Sequence, residues 1–351
     1  MKKILAMILA MLLVMSMTTA FAAEGDEGGE GGTTTYTDVS TVTITKTYKA
    51  VNSGVSPEET FSFSEFTKVP YSETQEVGEN PAASFPSTMP SISSITYNEG
   101  DATSDGKDTG TKTATITLPS YSAVGVYTYS FYEVTPETKT AGVTYKPETE
   151  LLYLVVTVVE ENGKKRIAAV HCEGSHEANA SSKTDTFVNT YESGTLAVDK
   201  KVTGNLGDKS KYFKVTVEFT AASGETINST ITYSGGKYGE TETAITNNKA
   251  EIEIKNGDTV TFTNVPEGVT WKVTEDDYTA AANGGYDAAT YSKQTDTMTA
   301  GGKATCTITN NKEITPDTGV ILQYAPYIAI LAVVLAGAIM MIIRRRRNNE
   351  D

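Results

Sequence analysis

Between about residue 37 and residue 312, the chain consists of short runs in which apolar side chains occupy every second position. Threonine, valine, tyrosine, isoleucine and serine dominate these runs, and clusters of glycine, asparagine, aspartate and proline separate them. Alternate side chains of a β-strand share a face, so this pattern is typical of strands with one face in a core. We see no amphipathic helical period before residue 320. The sequence therefore predicts an all-β fold, and its length predicts about two domains.

An internal repeat places the boundary between these domains. An opening strand ends in a lysine, an aromatic-rich strand leads to a glutamate, and a closing strand ends in an asparagine. The two copies of this pattern are Lys46, Glu133 and Asn189, then Lys200, Glu275 and Asn310. The repeat predicts two tandem β-sandwich domains, residues 37–192 and 193–312, joined near Ser193.

Strand alternation directs the three polar residues of each copy into a core. In the opening strand, Lys46 shares a face with Val42 and Ile44, and in the middle strand Glu133 shares a face with Tyr129 and Phe131. The same parity holds in the second copy. A buried lysine, glutamate and asparagine are costly unless they interact with one another.

One reaction makes such a trio stable. Burial lowers the pKa of an amine and raises that of a carboxylic acid, so the two can coexist as neutral groups. The amine then attacks the asparagine carbonyl, which the acid polarises, and ammonia leaves behind an isopeptide bond. We therefore predict Lys46–Asn189 and Lys200–Asn310 bonds, promoted by Glu133 and Glu275. The alternative is that both lysines extend their amines into solvent.

The two ends of the chain predict export and a membrane segment. Residues 1–22 have two lysines, an apolar run and an Ala-Phe-Ala pattern, which predicts a signal peptide cleaved after Ala22. Residues 23–36 are acidic and glycine-rich and predict a disordered spacer. Residues 320–343 carry no charge and are long enough to cross a bilayer, and Arg344 to Arg347 would stay cytoplasmic.

A five-residue motif precedes the apolar run: Thr315, Pro316, Asp317, Thr318 and Gly319. With the helix and the basic tail it makes residues 313–351 resemble the sorting signal of Gram-positive cell-wall proteins. The resemblance implies that a sortase cleaves between Thr318 and Gly319. Thr315 stands where that family usually has leucine, so the sortase class stays open. The alternative is a single-pass membrane protein in which the motif is only a turn.

The repeat and the sorting signal together resemble the backbone pilins of Gram-positive bacteria, of the streptococcal T-antigen type. The resemblance implies two tandem immunoglobulin-like (Ig-like) β-sandwich domains. The first domain is the better match, and the second also resembles a collagen-adhesin B-type (CnaB-like) module. The resemblance implies a structural subunit of a sortase-assembled pilus, anchored covalently to peptidoglycan after transient anchoring in the membrane. Its partners would be sortase, other copies of the pilin and, as an open question, a host-surface ligand. The alternative is a monomeric wall-anchored adhesin that binds host matrix or glycans.

In that family a lysine of the first domain accepts the sorted threonine of the next subunit. The resemblance makes Lys183, six residues before Asn189, our candidate for this linkage. Its competitors are of the same kind, and they are Lys139, Lys146, Lys164 and Lys165.

Other classes of site find little support in the sequence. The net charge of −15 argues against nucleic acid as a partner. Two cysteines and two histidines are too few for a disulfide framework and weaken any proposal of a zinc site. We therefore predict no cofactor, no metal and no enzymatic turnover. Whether the acidic cluster of Asp101, Asp105 and Asp108 binds calcium stays open.

Overall fold

The computed structural model describes residues 20–21, 39–52, 54–70, 84–102, 110–175, 183–314 and 319–347. The predicted acidic spacer, most of the predicted signal peptide and residues 315–318 of the sorting motif lie outside these ranges. The chain divides into two compact units. The larger comprises residues 1–201, 211–276 and 291–308, and the smaller comprises residues 202–210, 277–290 and 309–351.

The described part of the chain is almost entirely β-structure before its C-terminal helix, as the all-β prediction requires. Its first thirteen strands are β1 (Ala20–Phe21), β2 (Thr41–Val51), β3 (Glu59–Phe63), β4 (Thr67–Lys68), β5 (Ser91–Ile92), β6 (Ile95–Tyr97), β7 (Thr111–Thr117), β8 (Gly125–Phe131), β9 (Glu133–Val134), β10 (Lys139–Thr140), β11 (Val143–Thr144), β12 (Leu152–Glu161) and β13 (Lys164–Glu173).

The remaining strands are β14 (Thr186–Thr203), β15 (Phe213–Thr220), β16 (Glu225–Thr226), β17 (Thr232–Gly235), β18 (Thr243–Ala244), β19 (Lys249–Ile254), β20 (Thr259–Pro266), β21 (Thr270–Glu275), β22 (Thr290–Tyr291), β23 (Thr295–Thr297) and β24 (Lys303–Asn311). Two short 3₁₀ helices, Gly236–Tyr238 and Ala281–Asn283, interrupt them, and α1 (Gly319–Arg347) follows.

Within the larger unit, two sheets enclose the first core. One has the strand order β1-β13-β12-β8-β4 and the other contains β14, β2, β7 and β5 as neighbours. Ile44 and Ile116 from the second sheet belong to the same buried cluster as Tyr129, Leu154 and Val170 from the first. The burial of alternate residues on these strands is why the sequence alternates, and the two facing sheets form a sandwich.

A second core lies between the sheet β19-β15-β21-β23 and strands β14 and β20. The rings of Phe219 on β15 and Phe262 on β20 lie 5.5 Å apart between centroids. Trp271 and Val273 on β21 are fully buried, together with Val198 on β14. The second sequence repeat therefore also builds a sandwich-like core.

Strand β14 runs through the boundary that the repeat predicted at Ser193. Up to Glu192 it pairs in parallel with β2, and from Ser193 it pairs antiparallel with β20. Its buried residues are odd-numbered up to Ser193 and even-numbered from Gly194 onward, and the register shifts between Gly194 and Leu196. This irregularity turns the same strand from one core to the next, so Asn189 and Lys200 both point inward.

Gly194 fits this point because the backbone is crowded there. A Cβ atom at this position would lie 2.4 Å from Sδ of Met298 and 2.6 Å from the carbonyl oxygen of Gly302. Any larger residue would push these segments apart. The switch from odd-numbered to even-numbered buried residues on β14 therefore depends on glycine at this position.

A side chain near this boundary joins residues of the two predicted domains. Asn264 has a left-handed backbone with φ of 57°. Its Oδ1 accepts from the Val55 backbone N–H at 3.0 Å, and its Nδ2 donates to the carbonyls of Val55 and Thr230, both at 3.0 Å. Because both polar ends of the amide are satisfied, this contact specifies one arrangement of the segments around it.

In the smaller unit, α1 carries the apolar run predicted to cross a membrane. Residues Pro326–Arg346 have a mean hydropathy of 2.6, and within the described residues this is the helix that is long and apolar enough to span a bilayer. The predicted transmembrane helix is therefore present as a helix, and its last described residues are the arginines.

Candidate isopeptide sites

The first predicted trio comes together in the core of the larger unit. Lys46 lies in the middle of β2, Glu133 begins β9 directly after the aromatic strand β8, and Asn189 lies on β14. The parallel register pairs Lys46 with Phe187 and Tyr48 with Asn189, so the asparagine lies two residues further along than the lysine. All three side chains are buried, with at most 1% exposed.

The three side chains contact one another in a closed triangle. Lys46 Nζ donates to Asn189 Oδ1 and lies 2.7 Å from Glu133 Oε2. Asn189 Nδ2 donates to Glu133 Oε1 at 2.6 Å. From the sequence we expect the acid to polarise the amide carbonyl. The geometry instead places its two oxygens on the amine and on the amide nitrogen, the two groups that must exchange a proton when ammonia leaves.

Aromatic side chains enclose the amine of the first site. Nζ of Lys46 lies 3.9 Å from the centroid of the Phe61 ring. Tyr97 donates its hydroxyl hydrogen to the Lys46 carbonyl at 2.7 Å, which fixes the strand behind the side chain. Burial lowers the pKa of Lys46 to about 8, although the neighbouring Glu133 opposes this shift. About one amine in ten is therefore uncharged at pH 7, far more than for an ordinary lysine.

The second site repeats the central contact. Lys200 on β14 and Glu275 on β21 are buried and paired through Nζ and Oε1. Nζ of Lys200 lies 3.9 Å from the centroid of the Phe213 ring, the same distance as at the first site. Desolvation lowers the pKa of Lys200, and its hydrogen bond to Glu275 opposes the shift. The Glu275 backbone N–H donates to the Tyr291 hydroxyl at 3.0 Å.

Asn310, the predicted acceptor of the second site, lies on β24 and is 1% exposed. It belongs to the smaller unit, whereas Lys200 and Glu275 belong to the larger one. The Lys200–Asn310 bond therefore stays a prediction from the sequence repeat.

Sequence reasoning did not single out Phe61 and Phe213. Each lies on a strand that follows an opening lysine strand, β3 after β2 and β15 after β14, and each is buried. An inward phenylalanine on the strand after the lysine was the available signal. The ring supplies the apolar wall that keeps water from the amine.

Comparisons with known proteins identify the family of this chain. A model of the Spy0128-like isopeptide containing domain matches residues 42–192, and a domain of unknown function matches residues 194–312. A pilin of Streptococcus pyogenes serotype M1 is 30% identical over 347 residues, which cover 94% of this chain and 96% of that protein. This chain belongs to the pilin family. The predicted family resemblance is confirmed.

Solved structures support the fold of this pilin. The crystal structure of the major pilin from Streptococcus pyogenes matches with a TM-score of 0.53 at 24% identity, covering 79% of this chain and all of that one. The major pilin T3.2 from the same species matches with a TM-score of 0.53 at 19% identity, over 79% and 99% of the two chains. The predicted all-β fold class is confirmed.

The predicted acceptor lysine of this pilin is less exposed than the sequence indicated. Lys183 is half-buried and forms an isolated antiparallel bridge with Glu173. The next residue, Thr184, lines a groove of about 560 Å³ together with Lys146, Ser175 and Thr186.

The competing lysines differ in their exposure and contacts. Lys139 and Lys164 are exposed, while Lys146 and Lys165 are half-buried. Lys146 pairs with Glu150 at 2.8 Å. Among the five candidates, Lys146 lines the groove, and Lys183 directly precedes the lining residue Thr184.

Among the other residues singled out in the sequence, Asp101 and His171 have structural partners. Asp101 accepts from Lys112 Nζ at 2.7 Å, and Asp105 and Asp108 lie outside the described residues, as does His176. His171 Nε2 lies 2.7 Å from a Glu173 oxygen.

Both cysteines are buried and free, and burial raises the pKa of Cys172 to about 12 and of Cys306 to about 11. These raised values disfavour the reactive thiolate.

Proposed function

We propose that this pilin is the shaft subunit of a sortase-assembled pilus and that it forms an isopeptide bond within each of its two β-domains. The observation that carries the proposal is the closed triangle of Lys46, Glu133 and Asn189 in a dry core. An amine, an amide and a carboxyl group in mutual contact are the complete set of reactants and proton carrier for this bond.

The first bond forms by transfer of the Asn189 acyl group to Lys46. The uncharged Nζ attacks Cγ of Asn189, and the new C–N bond forms as the carbonyl becomes tetrahedral. Glu133 takes a proton from the attacking nitrogen and gives a proton to Nδ2, which leaves as ammonia. One amide and one amine become one substituted amide and one ammonia, so no cofactor and no oxidant are needed. This reaction happens once per domain, which is not enzymatic turnover.

The bonds would tie the first strand of each domain to its last. The first closes a loop of 143 residue steps. By analogy with disulfides, closing a loop of about 100 residues stabilises the fold by roughly 4.7 kcal/mol through the unfolded chain. Because β14 carries both Asn189 and Lys200, tension would pass from one bond to the next along residues 189–200 of a single strand.

Polymerisation follows from the sorting motif. We propose that sortase cleaves after Thr318 and joins its carbonyl to Lys183 of another copy, with peptidoglycan as the final acceptor. The groove lined by Thr184, the residue after Lys183, supports a linkage on this surface, because an extended chain end needs a concave surface near the accepting amine. Lys146 lines the same groove and is the alternative acceptor. Cleavage after Ala22 would remove the signal peptide before this step.

The intact mass of the secreted chain, residues 23–318, tests the bonds. We expect the wild type to lack the mass of two ammonia molecules, and Glu133→Ala and Glu275→Ala each to lack only one. Glu160→Ala, a change in a partly exposed ion pair, is the matched control and should lack two. A wild-type mass equal to that calculated from the sequence would contradict the bonds.

Cell-surface extracts test the polymer. We expect heat-stable and detergent-stable ladders that depend on sortase and disappear in Lys183→Ala, while the exposed-lysine control Lys164→Ala keeps them. A single wall-linked band in the wild type would instead favour the monomeric adhesin. Ladders that survive Lys183→Ala and disappear in Lys146→Ala would move the linkage to Lys146.

A further inference from the structure

Residues 311–314 are the last described residues before the sorting motif, and we call them the pre-motif segment. They lie beyond both predicted isopeptide bonds, since the second of these bonds ends at Asn310. In the proposed shaft, the stretch from Asn310 to Thr318 carries the covalent connection to the next copy. A single cut in this stretch would therefore break the shaft.

The loop that follows β14 binds the backbone of the pre-motif segment. The Lys312 N–H donates to the Thr203 carbonyl at 3.1 Å, and the Leu206 N–H donates to the Lys312 carbonyl at 3.0 Å. Asn205 binds Ile314 with its side chain: Nδ2 donates to the Ile314 carbonyl at 2.8 Å, and Oδ1 accepts from the Ile314 N–H at 2.9 Å. We call this pair of hydrogen bonds the Asn205 clamp. It satisfies both backbone groups of Ile314, as a neighbouring strand would.

A glycine lets this loop approach the pre-motif segment closely. Gly204 has a left-handed backbone with φ of 84°, and a Cβ atom there would lie 2.1 Å from the Lys312 carbonyl oxygen. A second loop binds the same segment: Lys312 Nζ donates to the Gly284 carbonyl at 2.6 Å, and the Asp287 N–H donates to the Asn311 carbonyl at 2.8 Å. Two loops of the smaller unit therefore hold the chain just before the motif.

Hydrogen bonds rather than apolar packing hold the end of the pre-motif segment. Leu206 and Ile314 are 46% and 57% exposed. Asn205 and Glu313 are exposed as well. Because Ile314 buries little of its side chain, the Asn205 clamp is what fastens this residue to the fold.

We propose that the Asn205 clamp keeps the connection between two copies of the shaft short and protects it from proteolysis. This proposal rests on the proposed sortase-assembled polymer. With the clamp formed, residues 315–318 lead from the fold to the next copy, a reach of at most about 14 Å. With the pre-motif segment released, residues 311–318 would do so, a reach of about 29 Å. A protease needs an extended substrate on both sides of the bond that it cuts, and local opening supplies one.

Cleavage by a glutamate-specific endoproteinase tests the clamp on the secreted chain, residues 23–318. Glu313 is exposed, and the peptide bond that follows it is the one whose N–H is bound to Asn205. We expect the wild type to lose residues 314–318 slowly, as measured by intact mass. Asn205→Ala should lose them about fivefold faster, because two hydrogen bonds at the surface, where water competes for them, are removed.

Matched variants separate the clamp from other effects. Leu206→Ala changes the exposed neighbour of Asn205 but keeps the backbone N–H that binds Lys312, so its cleavage rate should equal that of the wild type. Asn205→Asp keeps the acceptor for the Ile314 N–H and loses the donor, so its rate should be intermediate. Cleavage after all other glutamates should be the same in every variant. Equal loss of residues 314–318 in the wild type and Asn205→Ala, or an equal increase at every glutamate, would overturn the proposal.

Surface polymers test the protective role of the clamp. Wild-type ladders treated with the same endoproteinase should persist, and Asn205→Ala ladders should shorten to single subunits. Ladders that shorten at the same rate in both would overturn this role. An absence of wild-type ladders before treatment would instead contradict the proposed polymer, and the cleavage rates of the secreted chain would still show whether the clamp holds the pre-motif segment.

Discussion

The two lysine sites of this pilin share a buried lysine–glutamate pair and differ in which compact unit holds the predicted asparagine. In both, a buried amine lies 3.9 Å from a phenylalanine ring and beside a buried carboxyl group. At the first site the same carboxyl group also holds the amide of Asn189. At the second, the side chains of Lys200 and Glu275 are fully buried, and Asn310 belongs to the smaller unit. A dry amine is therefore the common element of both sites, and placing the amide is a separate requirement that the closing strand must meet.

Removing each asparagine should cause the largest change in the free energy of unfolding. Asn189→Ala deletes the first bond, and we expect a loss of about 4–5 kcal/mol in the free energy of unfolding, from the released loop. Asn310→Ala should have a similar effect if the second bond forms, since loop entropy changes only slowly with length. Denaturant unfolding of both variants measures the two losses.

A variant that carries both Asn189→Ala and Asn310→Ala provides the control for this experiment. Because the two asparagines lie in separate closed loops, their effects should add within about 0.5 kcal/mol. An Asn310→Ala variant as stable as the wild type would show that the second trio is only an ordinary buried cluster.

The pH dependence of stability tests whether the amine is as desolvated as its pKa indicates. In Asn189→Ala the Lys46 amine stays unreacted. The folded chain releases its proton near pH 8 and the unfolded chain near pH 10.5, so unfolding between these values takes up a proton. Rising pH therefore stabilises the folded state, by up to about 1.4 kcal/mol per unit in that window.

The measurement is the unfolding free energy from pH 7 to pH 11, compared between Asn189→Ala and the same variant carrying Lys46→Met. The difference removes the contribution of buried tyrosines, which titrate in both. The pair Asn310→Ala with and without Lys200→Met makes the same comparison at the second site. A difference that does not change with pH would mean that solvent reaches the amine.

Strand parity was enough to predict which side chains enter the cores. Lys46 and Lys200 lie on the apolar faces of alternating strands, and both are buried. The repeat predicted their partners, and of these Glu133, Asn189 and Glu275 contact the lysines in the structure. The all-β class and the C-terminal helix followed from the same period and from the length of the apolar run, because these are local properties of the sequence.

Contacts between distant strands could not be predicted in this way. Which oxygen of Glu133 meets which nitrogen depends on the approach of β9 to β14, and Phe61 and Phe213 are ordinary core residues until the fold places them on the amines. The repeat placed a boundary at Ser193, but it did not show that one continuous strand crosses it. A change in register at a glycine leaves no periodic signal.

The next prediction concerns the switch from odd-numbered to even-numbered buried residues on β14. Gly194→Ala introduces a Cβ atom into contact with Met298 and the Gly302 carbonyl. We expect a loss of about 1–3 kcal/mol in the free energy of unfolding, because backbone segments on either side must move.

The control is Val188→Ala on the same strand, whose side chain is 45% exposed and whose loss should cost less than about 0.5 kcal/mol. Both internal bonds should still form in both variants, as measured by intact mass. If Gly194→Ala blocked only the Lys200–Asn310 bond, the position of Lys200 would depend more on the path of β14 than on packing in the two cores.

The aromatic ring over each amine gives the smallest expected effect and the sharpest comparison. Phe61→Leu and Phe213→Leu keep an apolar side chain of similar size, so we expect each to cost less than about 1.5 kcal/mol. The ring contributes mainly by excluding water from the amine, and its loss should slow bond formation several-fold.

The rate of bond formation is measured on chain refolded from denaturant. Samples are quenched with acid at intervals, their intact mass is measured, and peptide mapping assigns each lost ammonia to its site. Phe61→Leu should slow the first bond only and Phe213→Leu the second only. Equal rates in the two variants and the wild type would mean that the strands alone keep the amine dry, and the shared 3.9 Å contact would then be a consequence of packing rather than a requirement of the reaction.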